Sequence, residues 1–160
     1  MKKTIVALLL FTLVASSCEK DDICLEPTTP KLILRFYDNN NPTDTKTVQR
    51  LSVWAANKDT LTGYKSISTD SIALPLDINA TQTIYHLKRN TVSGNKINNE
   101  YATITINYAK EEVFVSRSCG FKILFNSVNF SINNDWIQTV TPANDVSIND
   151  ETKAHAQVFH

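Results

Sequence analysis

Histidine, glycine, cysteine and methionine are all scarce in this chain: three, three, three and one among 160 residues. The shortage of histidine narrows the chemistry. A serine hydrolase would have to place His86, His155 or His160 beside an activated serine, and no G-x-S-x-G elbow occurs. His155 and His160 lack a third ligand nearby in sequence, so no metal site and no cofactor are expected. His86, on a strand face, reads as a hydrogen-bonded, partly buried side chain. An excess of one charge is also missing: 16 basic residues balance 16 acidic ones. Without a basic stripe to neutralise phosphates, nucleic acid is a poor candidate partner. No internal repeat stands out, and no window sustains an amphipathic helix beyond about ten residues.

What is present begins at the N-terminus. Lys2 and Lys3 precede an apolar run from Ile5 to Val14, about ten residues against the ~20 that span a bilayer. This fits the h-region of a secretory signal. Ala15-Ser16-Ser17-Cys18 then resembles the lipobox of bacterial lipoproteins, although Leu is usual where Ala15 stands. In such proteins the cysteine thiol is diacylated and cleavage leaves that cysteine as the first residue. Ordinary secretion with a chance cysteine is the plain alternative. Two fatty acids already hold a protein stably on a membrane, so a three-chain anchor of palmitate-like acyl groups on Cys18 would hold. Behind it, Lys20, Asp21 and Asp22 resemble the surface-export signal of Bacteroidota lipoproteins; the alternative is a solvated charged linker. The expected organisation is a signal peptide over 1–17, a lipidated N-terminus and short linker over 18–30, and a single domain over 31–160. The expected location is the outer membrane facing the cell exterior, with the periplasmic face as the alternative.

Losing residues 1–17 removes Lys2 and Lys3 from the 16 basic residues and leaves 14 against 16 acidic. The remaining chain suits one domain with a real core. In an exported protein Cys24 and Cys119 are expected to pair, the alternative being two separate buried thiols. Pairing would draw the domain close to the bilayer. Cys24 follows Cys18 by six residues, a reach of at most about 20–22 Å. The end carrying Cys119 would face the membrane, and loops at the opposite end would meet partners.

From Lys31 onward the apolar pattern has period two. KLILRFY sets Leu32, Leu34 and Phe36 on one side, and RLSVWA does the same with Leu51, Val53 and Ala55, Trp54 spoiling the other face. In SIALPL, Ile72, Leu74 and Leu76 share a side, while Pro75 removes a ladder donor and makes this an edge strand. TIYHLK over 83–88 is a further strand. ATITINY over 102–108 points Ala102, Ile104, Ile106 and Tyr108 inward. Lys110 and Glu111 predict a tight turn into EVFVSRSC, and Gly120 a break before FKILF, where Phe121, Ile123 and Phe125 share a face. SVNFSINNDWI reads as a loop because of Asn133, Asn134 and Asp135. Trp136-Ile137 and AHAQVF are predicted strands. Short strands between Asn-, Thr- and Asp-rich turns predict an all-β, antiparallel β-sandwich, immunoglobulin-like or of a similar Greek-key kind.

Other candidates for chemistry each have a plainer reading. Cys119 as a nucleophile competes with the disulfide. DNNNPTD over 38–44 is oxygen-rich like a calcium loop, but it lacks the glycine and glutamate that pattern needs and reads as a turn. Trp54, Tyr64, Tyr85 and Trp136 are candidates for a sugar-stacking platform, Trp54 and Trp136 foremost; aromatics in a small β domain are more often core. Asp59-Thr60-Leu61 and Asp70-Ser71-Ile72 resemble the Bacteroidota O-glycosylation site, which makes Thr60 and Ser71 candidate modification positions.

CEKDDIC, TTPKLILRFYDNNNPT, SCGFKILF and AHAQVF, in that order, resemble an uncharacterised family of Bacteroidota lipoproteins defined only as a domain of unknown function. The resemblance covers nearly the whole mature chain. It implies a lipid-anchored outer-membrane protein and supplies no catalytic residues. The leading expectation is therefore a non-enzymatic interaction or structural module of the envelope, acting on another envelope protein. Two alternatives stand beside it: a carbohydrate-binding accessory protein of a surface uptake system, and an enzyme whose site assembles only in three dimensions.

Overall fold

The computed structural model describes residues 24, 29–91, 98–142 and 144–160. The expected signal peptide over 1–17, the lipidation site Cys18 and the export residues Lys20, Asp21 and Asp22 lie outside the described residues. Among the described residues, alternation of apolar and polar side chains is realised as ten strands: β1 (Leu32–Tyr37), β2 (Val48–Ala55), β3 (Ile67–Thr69), β4 (Ser71–Leu74), β5 (Gln82–Asn90), β6 (Asn99–Ser116), β7 (Gly120–Asn134), β8 (Thr139–Thr141), β9 (Val146–Ile148) and β10 (Ala156–Phe159). They form a four-stranded sheet in the order β4-β1-β10-β8 and a six-stranded sheet in the order β3-β2-β5-β6-β7-β9. The two pack as a sandwich. No helix among the described residues is long and apolar enough to cross a membrane.

The core lies between the sheets, where the alternation of each strand points. Leu32, Leu34 and Phe36 of β1 share one buried cluster with Leu51 and Val53 of β2, Tyr85 and Leu87 of β5, and Ala102, Ile104, Ile106 and Tyr108 of β6. Burying each large apolar side chain contributes about 1.5–3 kcal/mol. A one-residue slip of β6 would exchange its apolar set for Thr103, Thr105 and Asn107, a loss comparable to a whole domain's stability of about 5–15 kcal/mol. Register is fixed by that difference.

Most pairings are antiparallel, as expected, but β1 and β10 run parallel at the centre of the smaller sheet, Leu34 opposite Ala156. Pro75 follows β4, which is an edge strand as its proline predicts. Asp70 alone separates β3 from β4 and carries the chain from one sheet to the other.

Three local expectations are corrected. Lys110 and Glu111 are not a turn, because β6 runs unbroken through them to Ser116. The segment from Ser127 to Asn134 is strand rather than loop, its polar residues lying on a wet sheet face. Trp136 and Ile137 are buried but lie in the connection to β8, where the Asn134 side-chain oxygen accepts both their backbone N–H groups.

Strands β6 and β7 outrun their neighbours. β5 accompanies β6 only as far as Asn107, and β9 meets β7 at Phe125 and Val128. From the pair Glu111 and Leu124 to the pair Ser116 and Gly120, the two strands continue as a ribbon of their own. The ribbon turns through residues 117–119, closed by the Cys119 N–H donating to Ser116 Oγ at 3.1 Å. Gly120 follows at φ 71°, a conformation that glycine adopts without a Cβ clash.

Cys119, in that turn, is bonded to Cys24 across 95 residues of sequence, as the sequence predicted. Thr29 makes a second attachment, its Oγ1 accepting from the Ile123 N–H at 3.4 Å. The cross-link shortens a very long loop in the unfolded chain and should contribute up to about 4–5 kcal/mol. Guanidinium unfolding should therefore show a Cys24→Ser/Cys119→Ser variant destabilised by an amount approaching that figure. The variant should be insensitive to reductant, while the parent falls to its level once reduced.

Candidate functional site

The outward face of the six-stranded sheet is built by cross-strand register. Pairing of β2, β5, β6 and β7 places Trp54, His86, Thr103 and Asn133 in one row. Ser52, Lys88 and Tyr101 form the next row; Ile84, Thr105 and Ser131 form the one on the other side. The Trp54 and His86 rings lie 5.6 Å apart with planes tilted by 33°, and His86 Nδ1 stands 3.0 Å from Thr103 Oγ1. Beside them is an open depression of about 430 Å³ lined by Trp54, Lys58, Asp59, Thr60, Lys88 and Tyr101. Two aromatic rings, two ammonium groups, a carboxylate and a hydroxyl suit a polyhydroxylated ring with one apolar face. The same surface suits a polar protein loop.

The two tryptophans named from sequence are not brought together. Trp136 is corrected from a ligand aromatic to a core side chain: it is 2% exposed and packs 6.1 Å from Phe36. The Arg89 guanidinium covers its ring at 4.7 Å and is itself held by Glu100 through an Nε–Oε2 contact of 2.8 Å. Trp136 follows β7 and enters the interior, whereas Trp54 points away from it. Tyr85 is likewise core, and Tyr64 is half-buried with its hydroxyl accepting from the Ala73 N–H at 2.8 Å. Tyr101 takes the place expected of Trp136. Its outward position was readable from the alternation that sends Ala102 inward.

Of the two glycosylation candidates, Thr60 is exposed and bridges to Trp54. Ser71 is half-buried in β4, its hydroxyl donating to the Leu34 carbonyl at 3.3 Å. DNNNPTD forms the expected turn, with the Asp38 N–H donating to the Asp44 carbonyl at 3.0 Å and Lys46 on the Asp38 carboxylate at 3.3 Å. The disulfide leaves no thiol at Cys119 for nucleophilic work. Among the described residues no three His, Cys, Asp or Glu side chains stand together as metal ligands would.

A family model matches residues 50–160, from within β2 to beyond β10. The chain belongs to a family of unknown function (DUF6452). The matched span contains Trp54, Lys88, Tyr101 and Cys119 and leaves out β1 and Cys24. No curated protein and no solved structure matches the chain.

Two histidines in this family member have structural work instead. The His155 N–H donates to the Ile33 carbonyl at 2.8 Å, and the Ile33 N–H donates back to His155 Nδ1 at 2.9 Å. The imidazole thus replaces a backbone acceptor beside the central parallel pair and must be unprotonated at Nδ1. Burial holds its pKa below the ordinary 6.5, against the pull of Asp150 and Glu151. Burial also lowers His160, which meets Arg89 at 3.0 Å through Nδ1. Because both are depressed when folded, the unfolded chain takes up protons first. Their stabilisation is complete above the ordinary value and is lost as pH falls below it. Thermal melts from about pH 8 to pH 5 should show a falling Tm, and His155→Asn, which keeps an acceptor in place of Nδ1, should flatten that fall. A His155→Asn profile as steep as the parent's would assign the dependence elsewhere.

Proposed function

We propose that this protein is a Bacteroidota outer-membrane lipoprotein, held by fatty acids on Cys18, that serves as a non-enzymatic interaction module of the cell envelope. The observation that supports this reading best is the Cys24–Cys119 disulfide. Disulfides persist in exported proteins and are rare in reducing compartments. This one also ties the chain, six residues after Cys18, to the tip of a long ribbon. The extended tether reaches at most about 20–22 Å. Tyr101 and Ser116 are fifteen residues apart on β6, about 50 Å along an extended strand. An anchor at Cys18 would therefore hold the ribbon tip near the bilayer and leave Trp54, Lys88 and Tyr101 far from it, facing a partner protein of the envelope.

Protease shaving of intact cells, with mass spectrometry of the N-terminal peptide, tests anchor and exposure together. The expected result is an acylated N-terminal Cys18 and release of domain peptides from unbroken cells. A native N-terminus elsewhere, or a Cys18 without fatty acid, would overturn the reading. Protection until the outer membrane is breached would move the protein to the periplasmic face.

A second reading, a glycan-binding accessory of a surface uptake system, is favoured by the depression beside Trp54 and Tyr101. On that reading Trp54→Ala should weaken binding on a glycan array by about tenfold, the equivalent of ~1.4 kcal/mol, with Tm unchanged. Absence of binding by the parent protein would leave the envelope-protein reading.

A further inference from the structure

Four large apolar side chains are exposed among the described residues, and two of them stand together at the end of the ribbon. Phe114 and Phe121 are each 57% exposed, lie directly opposite in register, and meet edge to face with centroids 5.4 Å apart. Alternation sends Phe121 to the same side of β7 as Ile123 and Phe125. Phe125 is fully buried, Ile123 half-buried and Phe121 exposed, because β7 runs out from under the four-stranded sheet. The cross-strand ring contact helps hold the ribbon together. It does not account for two phenylalanines left exposed among the described residues.

We infer that the ribbon tip is a second membrane contact, in which Phe114 and Phe121 enter the headgroup–acyl boundary of the bilayer that carries the lipid anchor. This rests on the anchor reading proposed above. The turn between the two phenylalanines contains Cys119, and its disulfide leads to Cys24. Only six residues of chain then remain to Cys18, so the tip stays within about 20–22 Å of the acyl chains. No other part of the described fold is tied so closely to that point. Two cations flank the pair: Lys122 adjoins Phe121, and Arg117 in the turn is exposed. Cations beside apolar rings favour anionic headgroups. Glu112 and Glu111 sit two and three residues back from Phe114, about 7–10 Å along the strand, which keeps them in water when the rings are at the boundary. Two points of attachment, acyl chains and ring pair, fix the tilt of the domain where a single one would not.

The test uses the whole acylated protein in vesicles of phosphatidylethanolamine and phosphatidylglycerol, with and without acyl-chain-brominated lipid. Phe121→Trp is read against the constant background of Trp54 and Trp136, and Phe114→Trp provides an independent second probe. The emission added by either substitution should be blue-shifted and strongly quenched by bromines near the carbonyls, about 5–10 Å into the membrane. Asn133→Trp, on the outer sheet face, should be unquenched. Acylated, vesicle-bound protein whose added emission escapes quenching overturns the inference and leaves the anchor intact. Emission that is blue-shifted yet unquenched overturns it in favour of a second copy or a partner protein covering the pair. Mass spectrometry of the same sample separates these results from failure of the anchor itself, since an N-terminus without fatty acid removes both readings.

Discussion

Contact between the inward side of β6 and the four-stranded sheet is the constraint on which this structure depends. Ala102, Ile104, Ile106 and Tyr108 are buried because β1 and β10 lie over the sheet that carries them. Where that cover ends, the core ends with it, between Phe125 and Phe121. The same strand pair then continues as a narrow ribbon with both faces accessible, and its sequence changes character there, from Ile and Thr to Lys, Glu and Phe. Three regions of different chemistry follow from one pair of long strands: a dry interior, a polar outer face and an apolar tip.

Much of this was legible in the alternation itself. Leu32, Leu34 and Phe36, Ile72, Leu74 and Leu76, and the ATITINY stretch all point as their period-two pattern requires. Pro75 marked its edge because a missing N–H has only one tolerable place in a ladder. The pairing of Cys24 with Cys119 was legible from count and compartment. Failures came where a residue's usual meaning depends on what covers it. Lys110 and Glu111 look like a turn to any rule that expects a strand to have a dry side, but a two-stranded ribbon has none. Asn129, Ser131 and Asn133 look like loop because Asn is rare in strands, yet they alternate with partly buried Phe130 and Ile132 on a solvated sheet. β3 and β9, three residues each, are too short for any periodicity to show.

The candidate site was half legible. Trp54 stood out as an aromatic on the wrong side of its strand, and it is on the outer face. Trp136 could not be separated from it by residue type. What decides between them is tertiary: Trp136 lies beneath Arg89 and against Phe36, contacts between segments far apart in sequence. Placing Lys58, Lys88 and Tyr101 around Trp54 required the register of β2, β5 and β6, which no single segment encodes.

The parallel pairing of β1 with β10 bears on when this chain becomes a protein. Leu34 finds Ala156 only after more than a hundred intervening residues have been synthesised, and the smaller sheet has no middle until then. Contacts of such long separation form late and make folding slow. A ribosome must deliver the chain as far as β10 before the sandwich can close, and until then the earlier strands have no complete second sheet to pack against.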